Sequence, residues 1–475
     1  MNARLNCPRG RALLRDPQAV AALLAELATC RQPRLGGEVS RCEGLRIACR
    51  GLSRLVGIGT SCAVETGAPP ASRGGPPFDP RRAVPAEVVG FIDDEVLLLP
   101  YSETTGIRQG ARVAVAEAQD RVAPCLAWLG RVIGPFAEPL DGGPPLPPGA
   151  TPYPLRARPI PAHERDLVGE RLTLGVRVLD LFTPCCRGQR LGIFAGSGVG
   201  KSTLLSMVAR DSAADALVVG LIGERGRELN EFLHRTLSAE ARARSVVVVA
   251  TSDMPAMLRR RAAQLTMTVA EALRDRGLNV LCLLDSVTRI ATALREIHLA
   301  AGEVPTSKGF PPSVFAELPQ LLERAGPGRA GSGAITGLFT VLVEGDDTNE
   351  PVADTVRGIL DGHVVLDRAI AEGGRFPAVD VLRSVSRAAP DCYQREEREL
   401  ITRVRRLLRA HHDIAELIRL GAYRNGADPL VDAAIALMPA LDRLLHQDPG
   451  EPPGAASPFA RLAEIMGDSA AEPSR

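Results

Sequence analysis

The spacing of apolar positions changes character along the chain. Between residues 11 and 31, Leu13, Leu14, Val20, Leu23, Leu24 and Leu27 recur at roughly helical intervals, which predicts a helix. Such a helix either packs locally or protrudes toward a partner, and the pattern admits both. From about Gly36 to Val115 short apolar runs take over: 45–48, 56–59, 86–92, 95–99 and 111–115, most of them bounded by Gly, Pro or Asp. These predict a small antiparallel barrel or sandwich. The Pro-, Gly- and Ala-rich stretch Gly67 to Arg82 predicts a mobile loop between strands, and the Pro/Gly tract Pro139 to Pro161 a linker.

After the linker, strands and helices alternate. Residues 189–194, 216–222, 245–250, 279–284, 333–343 and 363–366 are apolar strand candidates, several of them separated by helical patterns. Near-continuous apolar strands in such an alternation predict an α/β fold, with a mostly parallel sheet covered on both faces. Beyond about Ala388 the spacing is helical, over 395–420, 429–445 and 458–466.

Composition narrows the classes. Apolar residues are 45% and charged residues 24%, as in ordinary globular proteins, while aromatics are only 3%, too few for base-stacking platforms. The net charge of +1 supplies no global field for nucleic acid or an anionic membrane, so no nucleic-acid partner is expected. The ten cysteines are scattered without a CxxC pair, which predicts reduced thiols in a cytoplasm. No run of about 18 apolar residues and no signal-peptide pattern occurs, so membrane contact is expected only through partners. Only Lys201 and Lys308 are lysine against 55 arginines, a bias that suggests a chemical reason where lysine persists.

Lys201 lies in Ala195-Gly-Ser-Gly-Val-Gly-Lys-Ser-Thr203, between a strand pattern and a helix pattern. Glycine-rich main-chain N–H groups can cradle phosphates there, and the following helix aims its positive end at them. Gly196, Ser197, Gly198, Val199, Gly200, Lys201, Ser202 and Thr203 are therefore the candidate ATP-binding loop. Lys201 would reach the β- and γ-phosphates, and Ser202 would hold Mg²⁺. The strict pattern opens with Gly where this chain has Ala195. Asp285 ends the apolar run Val280 to Leu284, on the same sheet edge, and is the second metal candidate. Glu224 follows the strand 216–222 and is the candidate base; as chemistry alone, a helix-capping acidic turn explains it equally well. Adenine is favoured because neither lysine lies in an Asn-Lys-x-Asp guanine reader.

Gly223-Glu-Arg-Gly-Arg-Glu228, Leu283-Leu-Asp-Ser-Val-Thr-Arg289, Gly309-Phe-Pro-Pro-Ser-Val-Phe315, Leu321-Leu-Glu-Arg-Ala-Gly326, Gly362-His-Val-Val-Leu366 and Phe376-Pro-Ala-Val-Asp-Val-Leu-Arg-Ser-Val-Ser-Arg387 together resemble the type III secretion ATPases. Among these the likeness is greatest to the flagellum-specific export ATPase, and the family is similar in turn to the catalytic subunit of rotary ATP synthases. The resemblance implies a RecA-like P-loop core with a barrel before it and a helical domain after it. It divides the chain into an N-terminal partner-binding helix (1–33), a barrel (34–116), a linker (117–165), the ATPase domain (166–389) and a helical domain (390–475).

Carried over by resemblance, Glu224 is the catalytic glutamate, Arg225 and Arg289 stand near the γ-phosphate, and Arg387 is an arginine finger given to the neighbouring subunit of a homohexamer. Phe376 packs on adenine, and Tyr423 either closes the other side of the base or packs in the core. The implied function is ATP hydrolysis at the base of a flagellar export gate, coupled to chaperone release and substrate delivery. The implied partners are a stator-like regulator, export chaperones, substrates and gate proteins, at the cytoplasmic face of the inner membrane. An injection-apparatus ATPase is the alternative. A rotary synthase subunit is disfavoured by Pro311-Pro-Ser-Val-Phe315, and a Rho-type RNA translocase by the charge and the few aromatics.

Overall fold

The computed structural model describes residues 36–67, 83–116, 120–233, 237–343, 350–451, 454 and 457–467. The helix expected over 11–31 and residues 68–82 of the expected loop lie outside the described residues. Two compact units divide the chain: the first ends at Leu98 and takes in Thr104 to Glu117, and the second holds Leu99 to Glu103 and everything from Ala118 onward.

The first unit contains a closed antiparallel barrel of β1 (Gly36–Glu43), β2 (Arg46–Arg50), β3 (Ser61–Glu65), β4 (Ala83–Ile92), β5 (Glu95–Pro100) and β6 (Arg112–Val115), ordered β1-β2-β5-β4-β3-β6. Its interior is aliphatic, with Ile47, Val64, Val88, Val96, Leu98 and Val113 all buried. The expected strand at 56–59 is a loop instead. Ile58 there is 65% exposed and Gly59 has φ of 89°, so the run turns the chain rather than extending it. β3 takes its place, with Cys62 and Val64 facing inward.

The second unit is built on a sheet of β7 (Val132–Ile133), β8 (Arg190–Ala195), β9 (Ala216–Ile222), β10 (Ser245–Ala250), β11 (Asn279–Asp285), β12 (Ala334–Leu342), β13 (Gly362–Leu366) and β14 (Val385–Ser386), in the order β14-β13-β8-β12-β11-β9-β10-β7. Along this path all pairings are parallel except β13 with the edge strand β14. Because side chains alternate along a strand, both faces must be apolar. Leu217, Val219 and Leu221 of β9 enter one core cluster, while Ala216, Val218 and Ile222 enter the other.

The first face is covered by α1 (Arg177–Phe182), by α2 (Lys201–Asp211) through Leu204, Leu205 and Val208, and by residues of the C-terminal helices such as Val404 and Leu441. The short α3 (Gly226–Glu231) follows β9. The opposite face is covered by α4 (Ala256–Arg274), α5 (Val287–Ala300) and α6 (Pro312–Leu322). α7 (Arg395–Arg419), α8 (Pro429–Leu445) and α9 (Pro458–Ile465) complete the helical C-terminal region.

Of the segment 117–165, expected as a linker, the described residues 120–165 belong to this second unit: β7 pairs with β10, and Trp128 and Leu155 are buried. Its Pro/Gly content hides the few apolar residues that anchor it. The expectation of reduced thiols is also corrected at one pair. Cys186 and Cys392 are disulfide-bonded with Cα atoms 6.7 Å apart, and their separation of 206 residues gave no spacing signal. Among the described residues Cys42, Cys49, Cys62, Cys125, Cys185 and Cys282 are free.

Candidate active site

The carboxyl edge of the parallel sheet gathers the charged residues. β8 is buried to its end at Ala195, after which the loop passes through Gly198 (φ 78°) and Gly200 (φ 91°) into α2. Both glycines sit in the left-handed region, so a side chain at either would be strained. Gly200 caps a helix whose first turn carries no acidic residue, leaving its N–H groups and positive end open to an anion. Ser197 and Ser202 are exposed there, while Val199 is buried and anchors the loop.

Lys201 begins α2, and its ammonium lies between two carboxylates. It pairs with Asp285 and stands 3.4 Å from Glu224 Oε1. Asp285 closes β11 at 5% exposure, and its Oδ1 accepts from Thr340 Oγ1 on the adjoining strand at 2.6 Å. Glu224 follows Gly223, whose φ is 74° and which Arg289 approaches so closely that an added methyl would meet its Cδ at 2.8 Å. Arg289 sits on the first turn of α5, with Nη2 3.4 Å from Glu224 Oε2.

Burial raises the Glu224 carboxyl above its ordinary range, and a hydrogen bond shared with Glu228 raises it further, against the pull of Lys201 and Arg289. That same hydrogen bond lowers Glu228. Glu224 therefore holds a proton more tightly than Glu228 and, once ionised, is a stronger base than a solvated carboxylate.

These donors fit a polyphosphate. They offer an ammonium, an exposed helix N-terminus, a hydroxyl, and the guanidinium of Arg289, whose buried Nε lies 3.4 Å from Glu224 Oε1 without a hydrogen bond. Among the described residues no group of three or more His, Cys, Asp or Glu could hold a metal ion unaided. Ser202 and Asp285 suit a hard cation that shares its oxygens with phosphates. Ser202, Thr203, Glu224, Glu228 and Asp285 line one cavity of about 450 Å³.

Two family models match the chain. The ATP synthase alpha/beta family, nucleotide-binding domain, matches residues 175–386, and the T3SS EscN ATPase C-terminal domain matches 393–464. The flagellum-specific ATP synthase of Caulobacter vibrioides is 52% identical over 435 residues, covering 90% of this chain and 95% of that protein. The chain belongs to the type III secretion ATPases. The assembled ATPase EscN of the enteropathogenic E. coli type III secretion system matches with a TM-score of 0.82 at 37% identity, covering 90% of this chain and all of that one. EscN in complex with its central stalk EscO matches with a TM-score of 0.78 over 91% of this chain.

In this type III secretion ATPase the other sequence candidates are spread out. Arg225 is exposed at the start of α3. The Phe376 ring packs beside the P-loop, where a methyl on Gly200 would meet it at 3.6 Å. Tyr423, between α7 and α8, has its hydroxyl 2.9 Å from Asp432 Oδ1 on the first turn of α8 and 3.1 Å from Asp428 O just before it. Arg387 follows β14 at the opposite edge of the sheet: its N–H donates to Asp361 O at 2.8 Å, and Asp361 N–H donates to Arg190 O at 2.9 Å. It therefore stands beside the first residue of β8, whereas the P-loop follows the last, roughly 16 Å away at 3.3 Å per residue.

Thr340 and Glu228 are the neighbours of the site that sequence reasoning did not single out. Glu228 lay in the quoted motif and could have been weighed as the partner of Glu224. Thr340 gave no signal, because only strand register brings it beside Asp285.

Proposed function

We propose that this ATPase hydrolyses ATP as a homohexamer whose catalytic sites lie between subunits, at the cytoplasmic face of a flagellar type III export gate. The observation that carries the reading is the division of charged residues between two sheet edges. Lys201, Glu224, Asp285 and Arg289 converge at one edge, and Arg387 is exposed at the other. An arginine so remote from its own P-loop is suited to serve the neighbour's.

In this reading the main-chain N–H groups of 196–202 and Lys201 hold the phosphates, and Phe376 packs on the base. Mg²⁺, held by Ser202 and Asp285 with phosphate oxygens, supplies charge neutralisation when bound. Glu224 takes the proton of the attacking water as its oxygen bonds to the γ-phosphorus and the bond to the bridging oxygen breaks, releasing ADP and phosphate. Arg289 and Arg225 lie within the chain to meet the growing charge, and Arg387 of the next subunit completes the cage.

The assembled EscN and its complex with a stalk protein support a ring and a stalk-like regulator as partner. No helix among the described residues is long and apolar enough to cross a membrane. Chaperone release and delivery of export substrates are the coupled work. The 52% identity to a flagellum-specific protein over 90% of this chain, against 46% over 80% for an injection-system ATPase, favours flagellar over injection export.

The test is turnover per subunit against protein concentration, with Glu224→Gln as control. Turnover should climb with the assembled fraction, and Glu224→Gln should bind ATP while losing about 10²- to 10⁴-fold in rate. Constant turnover from monomer to ring would contradict the reading.

A further inference from the structure

Phe376 is held from the C-terminal side of the molecule through its own main chain. Its N–H donates to His446 Nδ1 at 3.3 Å, and its carbonyl accepts from the Gln447 N–H at 2.8 Å. His446 and Gln447 directly follow Leu445, the last residue of α8. The two groups that fix the Phe376 peptide therefore come from the exit of a C-terminal helix.

Gln447 cannot drift. It is fully buried; its Oε1 accepts from Arg177 N–H at 2.9 Å and its Nε2 donates to Gly175 O at 3.1 Å. A buried amide with both ends engaged has a single orientation. Arg177 secures the same segment from its guanidinium, donating from Nε to Leu444 O at 3.0 Å and from Nη2 to His446 O, and pairing with Glu451. Direct bonds thus run from the end of α8, through two residues, to the ring beside Gly200. His446 is more exposed, and its Nε2 lies 3.3 Å from Asp448 Oδ1, which leaves Nδ1 as the acceptor for Phe376.

We propose that His446 and Gln447 are positioning residues for the nucleotide, setting Phe376 against the P-loop and making its place follow that of the C-terminal helices. The proposal rests on the reading of Phe376 as the residue that packs on the base. Neither residue touches the reacting phosphates, so the effect belongs to nucleotide affinity and not to the chemical step.

The test uses the full chain under assembling conditions, with KM for ATP, kcat, and Kd for a fluorescent ADP analogue as readouts. His446→Ala should raise KM and Kd about tenfold with kcat little changed, a pattern that general loss of structure does not give. His446→Asn, which keeps an acceptor close to the Nδ1 position, should recover most of the loss. In a Phe376→Ala background His446→Ala should add nothing, because both act through one ring. Gln447→Ala keeps the N–H that bonds Phe376 O and loosens only the anchors to Arg177 and Gly175, so it should raise KM less than His446→Ala does, with kcat little changed.

His446→Ala with parental KM and Kd, or weakening binding equally with and without Phe376, would overturn the proposal while leaving the base-contact reading intact. Phe376→Ala with parental Kd would instead overturn that reading, and the proposal with it.

Discussion

Arg387 and Asp361 are joined by a main-chain hydrogen bond of 2.8 Å at the edge where the parallel strands begin, and the P-loop opens at the edge where they end. A side chain that starts from main chain held there is separated from the edge that carries its own P-loop by the length of β8, roughly 16 Å at 3.3 Å per residue. If it acts on ATP at all, it acts on ATP held by another subunit. Arg387→Ala should therefore lose about 10³- to 10⁵-fold in turnover, the worth of an arginine finger, while Kd for nucleotide stays close to the parent value. Equilibrium binding beside steady-state rates checks this.

Burial raises the Glu224 carboxyl, and the neighbouring Glu228 carboxyl raises it further. A general base works only when ionised, so kcat falls as pH drops through that raised pKa, at higher pH than the ordinary 4.5. Glu228→Gln removes one of the raising contacts. The acid limb of the kcat profile should move to lower pH, and a limb that stays in place would separate Glu228 from catalysis.

Thr340 donates to Asp285 Oδ1 at 2.6 Å, leaving fewer ways for that carboxylate to turn. Thr340→Val removes a hydrogen bond to a charged group worth about 1.5–3 kcal/mol. The half-saturating Mg²⁺ concentration for hydrolysis should rise severalfold, with nucleotide binding in the absence of Mg²⁺ unchanged.

His298 on α5 stands between Glu303 (Nδ1 to Oε1, 2.9 Å) and Glu317 (Nε2 to Oε1, 3.0 Å). Burial and Arg260 work against its charge, but the two carboxylates prevail and its pKa is raised above 6.5. A raised pKa stabilises the fold fully below the unfolded value, and the contribution is lost as pH rises through the folded value. His298→Gln should lower Tm more at pH 6 than at pH 9, as thermal melts at the two pH values would record.

How much of this was legible depended on how local each feature is. The P-loop, Asp285 after its apolar strand, and the alternation of strands with helices are written in neighbouring residues, and they could be read without coordinates. Arg387 and Phe376 entered by resemblance, since nothing in their own surroundings marks them. Thr340, His446 and Gln447 were invisible, because strand register and the packing of α8 bring them to Asp285 and Phe376 from distant parts of the chain. In the barrel, β1 escaped notice because only Val39 of its eight residues is buried, and 56–59 misled because apolar residues also line turns. The Pro/Gly content of 139–161 likewise obscured the packing of residues 120–165 into the second unit.

The central claim is that one subunit's Arg387 completes the site that holds another's Glu224. Mixing Arg387→Ala with Glu224→Gln chains tests it most directly. Each variant alone should be nearly inactive, yet in mixed rings an intact Glu224 can face an intact Arg387. Turnover of the mixture well above the sum of the two separate proteins is the predicted result. Activity that never exceeds that sum, in rings shown to contain both chains, would contradict the account.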